Sequence, residues 1–185
     1  MSEVKQERLQ NRLGPEIAEF RQTCRTLQLA TVDADGLPNV SYAPYALGGR
    51  AYYILISELA RHTQNLLEQP VLSLMMIEDE VNSKQLFARK RLTFDASVEQ
   101  VSRDTDEWHQ GIDALHRRFG EIVSGLSSLA DFHLFRLTPV KGLFVKGFGQ
   151  AFEVSGDDMV DVVHLKDGHR RVEDNSPVLS TEEDL

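Results

Sequence analysis

The sequence predicts a mainly β protein: a small closed or half-closed β-barrel of six to seven mostly antiparallel strands with helices at its periphery. Three observations carry that reading. Residues 26–32 (TLQLATV) alternate Leu27, Leu29 and Thr31 against Gln28 and Ala30, the period of a half-buried strand. Residues 51–57 (AYYILIS) are nearly all apolar and aromatic, as a central buried strand requires. Short glycine-bearing segments, DADGLP at 33–38 and LGGR at 47–50, join such runs at meander spacing.

In chain order, residues 1–24 form a helical segment. A polar, helix-prone stretch over 3–13 meets Gly14-Pro15, and Pro15 suits the first position of a second helix carrying Ile17 and Phe20 on one face. TLQLATV then pairs with NVSYAPY, where Pro44 near the end tolerates a missing donor. AYYILIS follows, then a short helix over 58–68 with Leu59, His62 and Leu66 at helical spacing, stopped by Pro70. VLSLMMIE is the next strand. QLFARKRLTFDASVEQV reads as one long strand with a bend near Lys90. Residues 104–119 form a helix with Trp108, Ile112, Leu115 and Phe119 on its inner stripe. A small-residue connector, GLSSLAD, precedes the strand HLFRLTP. The glycine-punctuated strand GLFVKGFGQAF comes next, then a helix start at Ser155-Gly156-Asp157-Asp158 and a polar loop carrying His169. Residues 1–171 form a single domain, and 172–185 an acidic, flexible tail.

Composition narrows the function. A hydrophobic fraction of 41% with 26% charged residues is ordinary for a soluble globular protein. The net charge of -9 argues against nucleic acid and anionic membrane as partners. No apolar run is long enough to span a bilayer, and the charged N-terminus does not read as a signal peptide. The single cysteine, Cys24, points to a reducing, cytoplasmic home.

Phosphate-loop, dinucleotide, CxxC, HExxH and GxSxG motifs are absent. Two segments carry chemistry nonetheless. In SELARHTQN, Ser57, Arg61, His62 and Thr63 stand where a strand runs into a helix N-terminus, which favours a phosphate or carboxylate; ordinary capping is the plainer account. In FARKRLTF, Arg89, Lys90 and Arg91 lie between aromatic residues and suit a planar anionic ligand, or else protect a strand edge. His169 is a lone loop imidazole beside Arg170.

Read together, TLQLATVDADGLPNVSYAPY, YYILISELARHTQNL, VLSLMMIEDE, KQLFARKRLTFDA, GLFVKGFGQAF and DDMVDVVHLKDGHR resemble the HutZ/HugZ haem-utilisation family. That family belongs to the flavin-binding split-barrel superfamily of pyridoxamine 5'-phosphate oxidase, and the resemblance runs from about Val4 to Arg171. It implies a homodimer of split barrels that holds haem between subunits and degrades it to release iron. It implies His169 as proximal iron ligand, Asp131 as the acid that bonds this histidine across the dimer, and Arg91 on the distal side. Arg89, His62, Ser57, Arg61, Thr63 and Gly147 complete the expected cofactor-binding set. It also implies an external electron donor and a haem-delivery protein. The alternatives are FMN, with its phosphate held by Ser57, Arg61, Thr63 and Arg91, and a haem carrier without turnover.

Overall fold

The computed structural model describes residues 3–155 and 163–164. One antiparallel sheet organises them. Its main path runs β2-β1-β5-β6-β7-β4-β3, seven strands, with β8 added beside β7 and β9 beside β8. The strands are β1 (Thr26–Val32), β2 (Pro38–Pro44), β3 (Ala46–Gly48), β4 (Ala51–Ser57), β5 (Val71–Ile77), β6 (Arg91–Val101), β7 (Phe132–Gly147), β8 (Gln150–Val154) and β9 (Val163–His164). The helices are α1 (Glu3–Thr23), α2 (Arg61–Glu68), α3 (Asp106–Phe119) and α4 (Ile122–Ser127).

The alternation read in TLQLATV holds: Leu27, Leu29 and Thr31 are buried while Gln28 and Ala30 face out. The β1–β2 turn is held by Asp33, whose Oδ1 accepts the amides of Asp35 and Leu37 at 3.1 and 2.9 Å. Gly36 there takes φ +80°, a conformation costly to any residue with a Cβ.

Gly14-Pro15 does not interrupt the first helix; α1 runs through it, with Pro15 inside. An interior proline costs about 3 kcal/mol. Leu13, Ile17 and Phe20 lie on one stripe across the proline and all enter the barrel core, and that burial outweighs the lost hydrogen bond. Glu16 fastens the helix from the polar side, 3.1 Å from Lys90 and 2.5 Å from Lys146. Burial on its own raises the Glu16 carboxyl, but the Lys146 and Lys90 bonds prevail and hold it below its ordinary value.

Three other boundaries move. QLFARKRLTFDASVEQV is a 3₁₀ turn over Leu86–Ala88 followed by β6 from Arg91. HLFRLTP and GLFVKG form one 16-residue strand, β7, because β6 pairs along almost its whole length with a register shift at Asp95/Ala96. The connector after α3 holds the short helix α4. The helix start at Ser155-Gly156-Asp157-Asp158, the loop carrying His169 and the tail 172–185 lie outside the described residues, apart from Ser155 itself.

Two apolar clusters result. The larger fills the barrel, with Tyr45, Tyr52, Phe94, Phe135 and Phe144 among its buried side chains. The smaller lies between α3, α4 and the outer side of β4 and β7, around Tyr53, Trp108, Leu115 and Leu134. At mid-β7 a Cβ on Gly142 would stand 2.2 Å from the Phe94 ring and 2.7 Å from the Thr93 carbonyl, so only glycine fits there.

Candidate functional site

The sheet register separates the expected site residues into two groups. Ser57, the last residue of β4, pairs with Phe132 at the start of β7, and Arg91, the first of β6, pairs with Val145 near its end. Phe132 and Val145 are 13 positions apart (145 − 132), about 40 Å of strand contour at roughly 3.3 Å per residue.

At the first end, Ser57 Oγ donates to Asp131 Oδ2 at 2.7 Å, and the Glu58 amide donates to the Asp131 carbonyl at 2.8 Å. Ser57 Oγ also accepts the Leu59 amide at 3.2 Å. One hydroxyl thus fixes the carboxylate and closes the turn leading to α2. Beside it His133 stands between Glu58, bonded to Nε2, and Gln100, 2.9 Å from Nδ1. Local pattern could not find this trio: it joins residues 33 and 75 positions apart, brought together by the pairing of Ile56 with His133 on one side of β7 and of Gln100 with Phe135 on the other.

The helix after Ser57 starts at Arg61, with Ala60 as an N-cap that offers no side-chain bond. Its inner face carries Thr63, Asn65 and Leu66, whereas Leu59 is exposed and His62 half-buried. Asn65 is buried because its amide donates to Thr31 Oγ1 at 2.9 Å. Thr63 Oγ1 is buried with no partner among the described residues. Arg61 turns away from the helix start to Asp33, 2.9 Å away. The Leu37 amide first, and Arg61 after it, hold the Asp33 carboxyl below the usual carboxylate range. Burial depresses the His62 imidazole below its ordinary value, which favours its neutral form.

At the second end the three cations of FARKRLTF diverge. Arg89 binds the Glu78 carbonyl and the Glu80 carboxylate, the latter at 3.2 Å. Lys90 goes to Glu16. Arg91 makes one hydrogen bond among the described residues, 3.3 Å to the Arg89 carbonyl. Alternation along β6 puts Arg91 on the same face as Thr93 and Asp95, away from the barrel core. A Cβ at Gly147 would meet nothing within 4 Å, so the backbone there is open to a close approach.

That outward face is continuous across the sheet. Tyr42, Gln28, Met75, Thr93 and Leu143 stand in one cross-strand row. A groove of about 600 Å³ runs over Gln28, Met75, Thr93 and Leu143 and is lined also by Val40 (77% exposed); Tyr42 (66%) and Val140 (66%) are exposed apolar side chains on strands beside it. Such a connected apolar surface marks an interaction site more often than chance exposure. Among the described residues no group of three or more His, Cys, Asp or Glu could hold a metal ion, and no helix is long and apolar enough to cross a membrane.

This architecture has known relatives. The pyridoxamine 5'-phosphate oxidase family profile matches residues 13–146. A protein of Vibrio cholerae named heme oxygenase HutZ is 64% identical over 170 residues, which cover 92% of this chain and 97% of that one. A crystal structure of Vibrio cholerae HutZ, described there as a heme storage protein, superposes with a TM-score of 0.70 at 62% identity, over 74% of this chain and 96% of the other. Campylobacter jejuni ChuZ gives 0.79 at 30% identity, over 88% and 67%. The chain therefore belongs to the pyridoxamine 5'-phosphate oxidase family of split β-barrels and, within it, to the group that contains HutZ.

Proposed function

We propose that the protein binds haem and degrades it oxidatively to release iron, in a site completed by a second copy of the chain. The observation that carries this reading is the 64% identity, over nearly the full length of both chains, to a protein named heme oxygenase. Residues 1–171 act as one split-barrel domain, the tail 172–185 is appended to it, and the protein works in the cytoplasm.

Haem, bound as substrate, supplies the iron at which oxygen is activated; the chain's own residues hold and orient it. His169 ligates the iron through one ring nitrogen. Asp131 accepts a hydrogen bond from the other, which fixes the tautomer and makes the imidazole a stronger donor. The Ser57 bond to Asp131 Oδ2 supports that role, because it orients the carboxylate and leaves Oδ1 to accept. Arg91, with one carbonyl as partner among the described residues, has donors for the opposite face of the haem. Arg89 and His62 line the same cleft, and Gly147 lets the flat ring approach the backbone.

A homodimer follows from the same reading. A C2 pair laid on the apolar outer face would bring the Asp131 end of one protomer towards the Arg91 end of its partner. Electrons come from an external donor, and a haem-delivery protein is a further partner.

Two second readings have specific support. HutZ is also described as a heme storage protein, which favours a carrier with the same pocket. The family match favours FMN, and the unpartnered Thr63 hydroxyl beside the uncapped start of α2 suits its phosphate, with Ser57. Arg61, already paired with Asp33, counts against it.

The test is a haemin titration followed at the Soret band, with FMN titrated in parallel. Saturation at about one haem per chain, lost in His169→Ala, is expected. Adding reductant and oxygen should then bleach the Soret band and yield a bilin. A stable spectrum would favour storage, and tight FMN binding with diffuse haem absorption would overturn the haem assignment.

A further inference from the structure

In a chain of net charge -9, three arginines gather around one hollow that no acidic side chain lines. The hollow, about 400 Å³, lies where the C-terminal ends of α1 and α3 meet β3, and Arg25, Arg117 and Arg118 contribute to its wall. Two of these arginines are locked in place. Arg118 Nη2 donates to the carbonyls of Gln22, at 2.9 Å, and Cys24, and its guanidinium lies 4.7 Å from the Tyr45 ring centroid. Arg25 Nη2 donates to the Arg118 carbonyl at 3.1 Å and stacks over Phe119 at 5.1 Å. Arg117 is exposed and makes no ion pair or hydrogen bond among the described residues.

Capping accounts for part of this charge. Each helix C-terminus presents about half a negative charge, so two of them offset about one of three cations. Roughly two positive charges remain; Glu19 and Asp79 line the neighbouring cavity, and Asp113, one helical turn before Arg117 on α3, makes no ion pair with it among the described residues. Like charges held together by neutral carbonyl partners repel one another unless an anion joins them. Each guanidinium has five N–H donors in a planar fork, and the bonds above use only some of them.

We infer that this arginine hollow binds a phosphate or diphosphate group, and that Arg117 closes on it while Arg25 and Arg118 present fixed donors. The volume suits a small ligand, and phosphate oxygens match the guanidinium fork. The inference is independent of the haem reading, since none of its residues belongs to that site.

The experiment is titration calorimetry of the full chain with sodium pyrophosphate at low ionic strength, beside ADP. Saturable binding of one pyrophosphate per chain is expected, weakened as salt rises and about tenfold weaker in Arg117→Ala, the loss of one charge-assisted contact. That variant should melt with the wild type, because Arg117 supports no other group. Equal affinity for ADP and pyrophosphate supports recognition of the phosphates alone; tighter ADP supports a nucleotide as their source. Absence of saturable heat, or unchanged affinity in Arg117→Ala, overturns the inference.

Discussion

The two ends of β7 are finished to different degrees. At the Phe132 end Ser57, Asp131, Glu58, His133 and Gln100 bond one another within a single chain. At the Val145 end Arg91 holds one carbonyl and Gly147 faces open space. Buried or half-buried polar groups are normally satisfied, and groups left open at a surface are available to something else. The contrast teaches that one end is shaped by the chain's own bonds, while the other keeps donors and backbone open. Thirteen strand positions, about 40 Å of contour, separate them along β7, and the proposed homodimer is what would join them.

The largest expected effect tests that joining. Asp131→Ala and Arg91→Ala should each nearly abolish haem turnover as homodimers. Mixed and re-equilibrated in equal amounts, half the dimers are hybrids with one intact site of two, which returns about a quarter of wild-type activity. Activity that stays at the level of the single variants would place both ends in one protomer.

Next in size is the strand that separates them. Gly142→Ala drives a Cβ into Phe94 and should cost about 1–3 kcal/mol, lowering Tm by several degrees. Unchanged melting would mean that β7 and the Phe94 ring yield at mid-strand.

A smaller effect separates the ends directly. Ser57→Ala removes a bond inside the finished end and should cost about 1 kcal/mol in chemical denaturation. Arg91→Ala should stay within about 0.5 kcal/mol of wild type while depressing turnover. Equal losses of stability would erase the distinction.

The smallest effect lies at Glu16, whose carboxyl is held below its ordinary value of 4.5. A depressed carboxylate stabilises the fold above its unfolded pKa, and that contribution disappears as pH falls through the folded one. Glu16→Gln should therefore melt about 1–2 °C lower than wild type near pH 7, on the order of 0.5 kcal/mol, and the gap should close below pH 4.5. A gap that persists in acid would assign Glu16 a packing role.

How much of this the sequence revealed depends on range. β1 was legible because Leu27, Leu29 and Thr31 alternate within seven residues. The continuity of α1 was not, because local chemistry at Gly14-Pro15 says stop, and the burial of Leu13, Ile17 and Phe20 that overrules it comes from strands elsewhere in the chain. The unity of β7 was hidden likewise, since Pro139 and Gly142 look like punctuation until β6 is laid beside them. Ser57 stood out locally at a strand-to-helix junction, whereas Asp131 entered only through family resemblance. Their bond spans 74 residues, and no local period encodes it. Arg89, Lys90 and Arg91 illustrate the converse: adjacency in sequence suggested one cluster, and the bend from the 3₁₀ turn into β6 aims them at three different partners.

The placement of α1 also sets the order in which the protein can be made. Leu13, Ile17 and Phe20 leave the ribosome more than a hundred residues before Phe144, Phe152 and Val154, with which they share a core, and Glu16 clasps Lys146. Phe20 meets Phe144 at 6.1 Å between ring centroids, across more than a hundred residues of chain. The nascent helix must therefore wait, its apolar stripe uncovered, until β7 and β8 emerge. Contacts this far apart in sequence make folding slow by the measure of contact order, and α1, made before every strand it packs on, is seated only when β7 and β8 have followed.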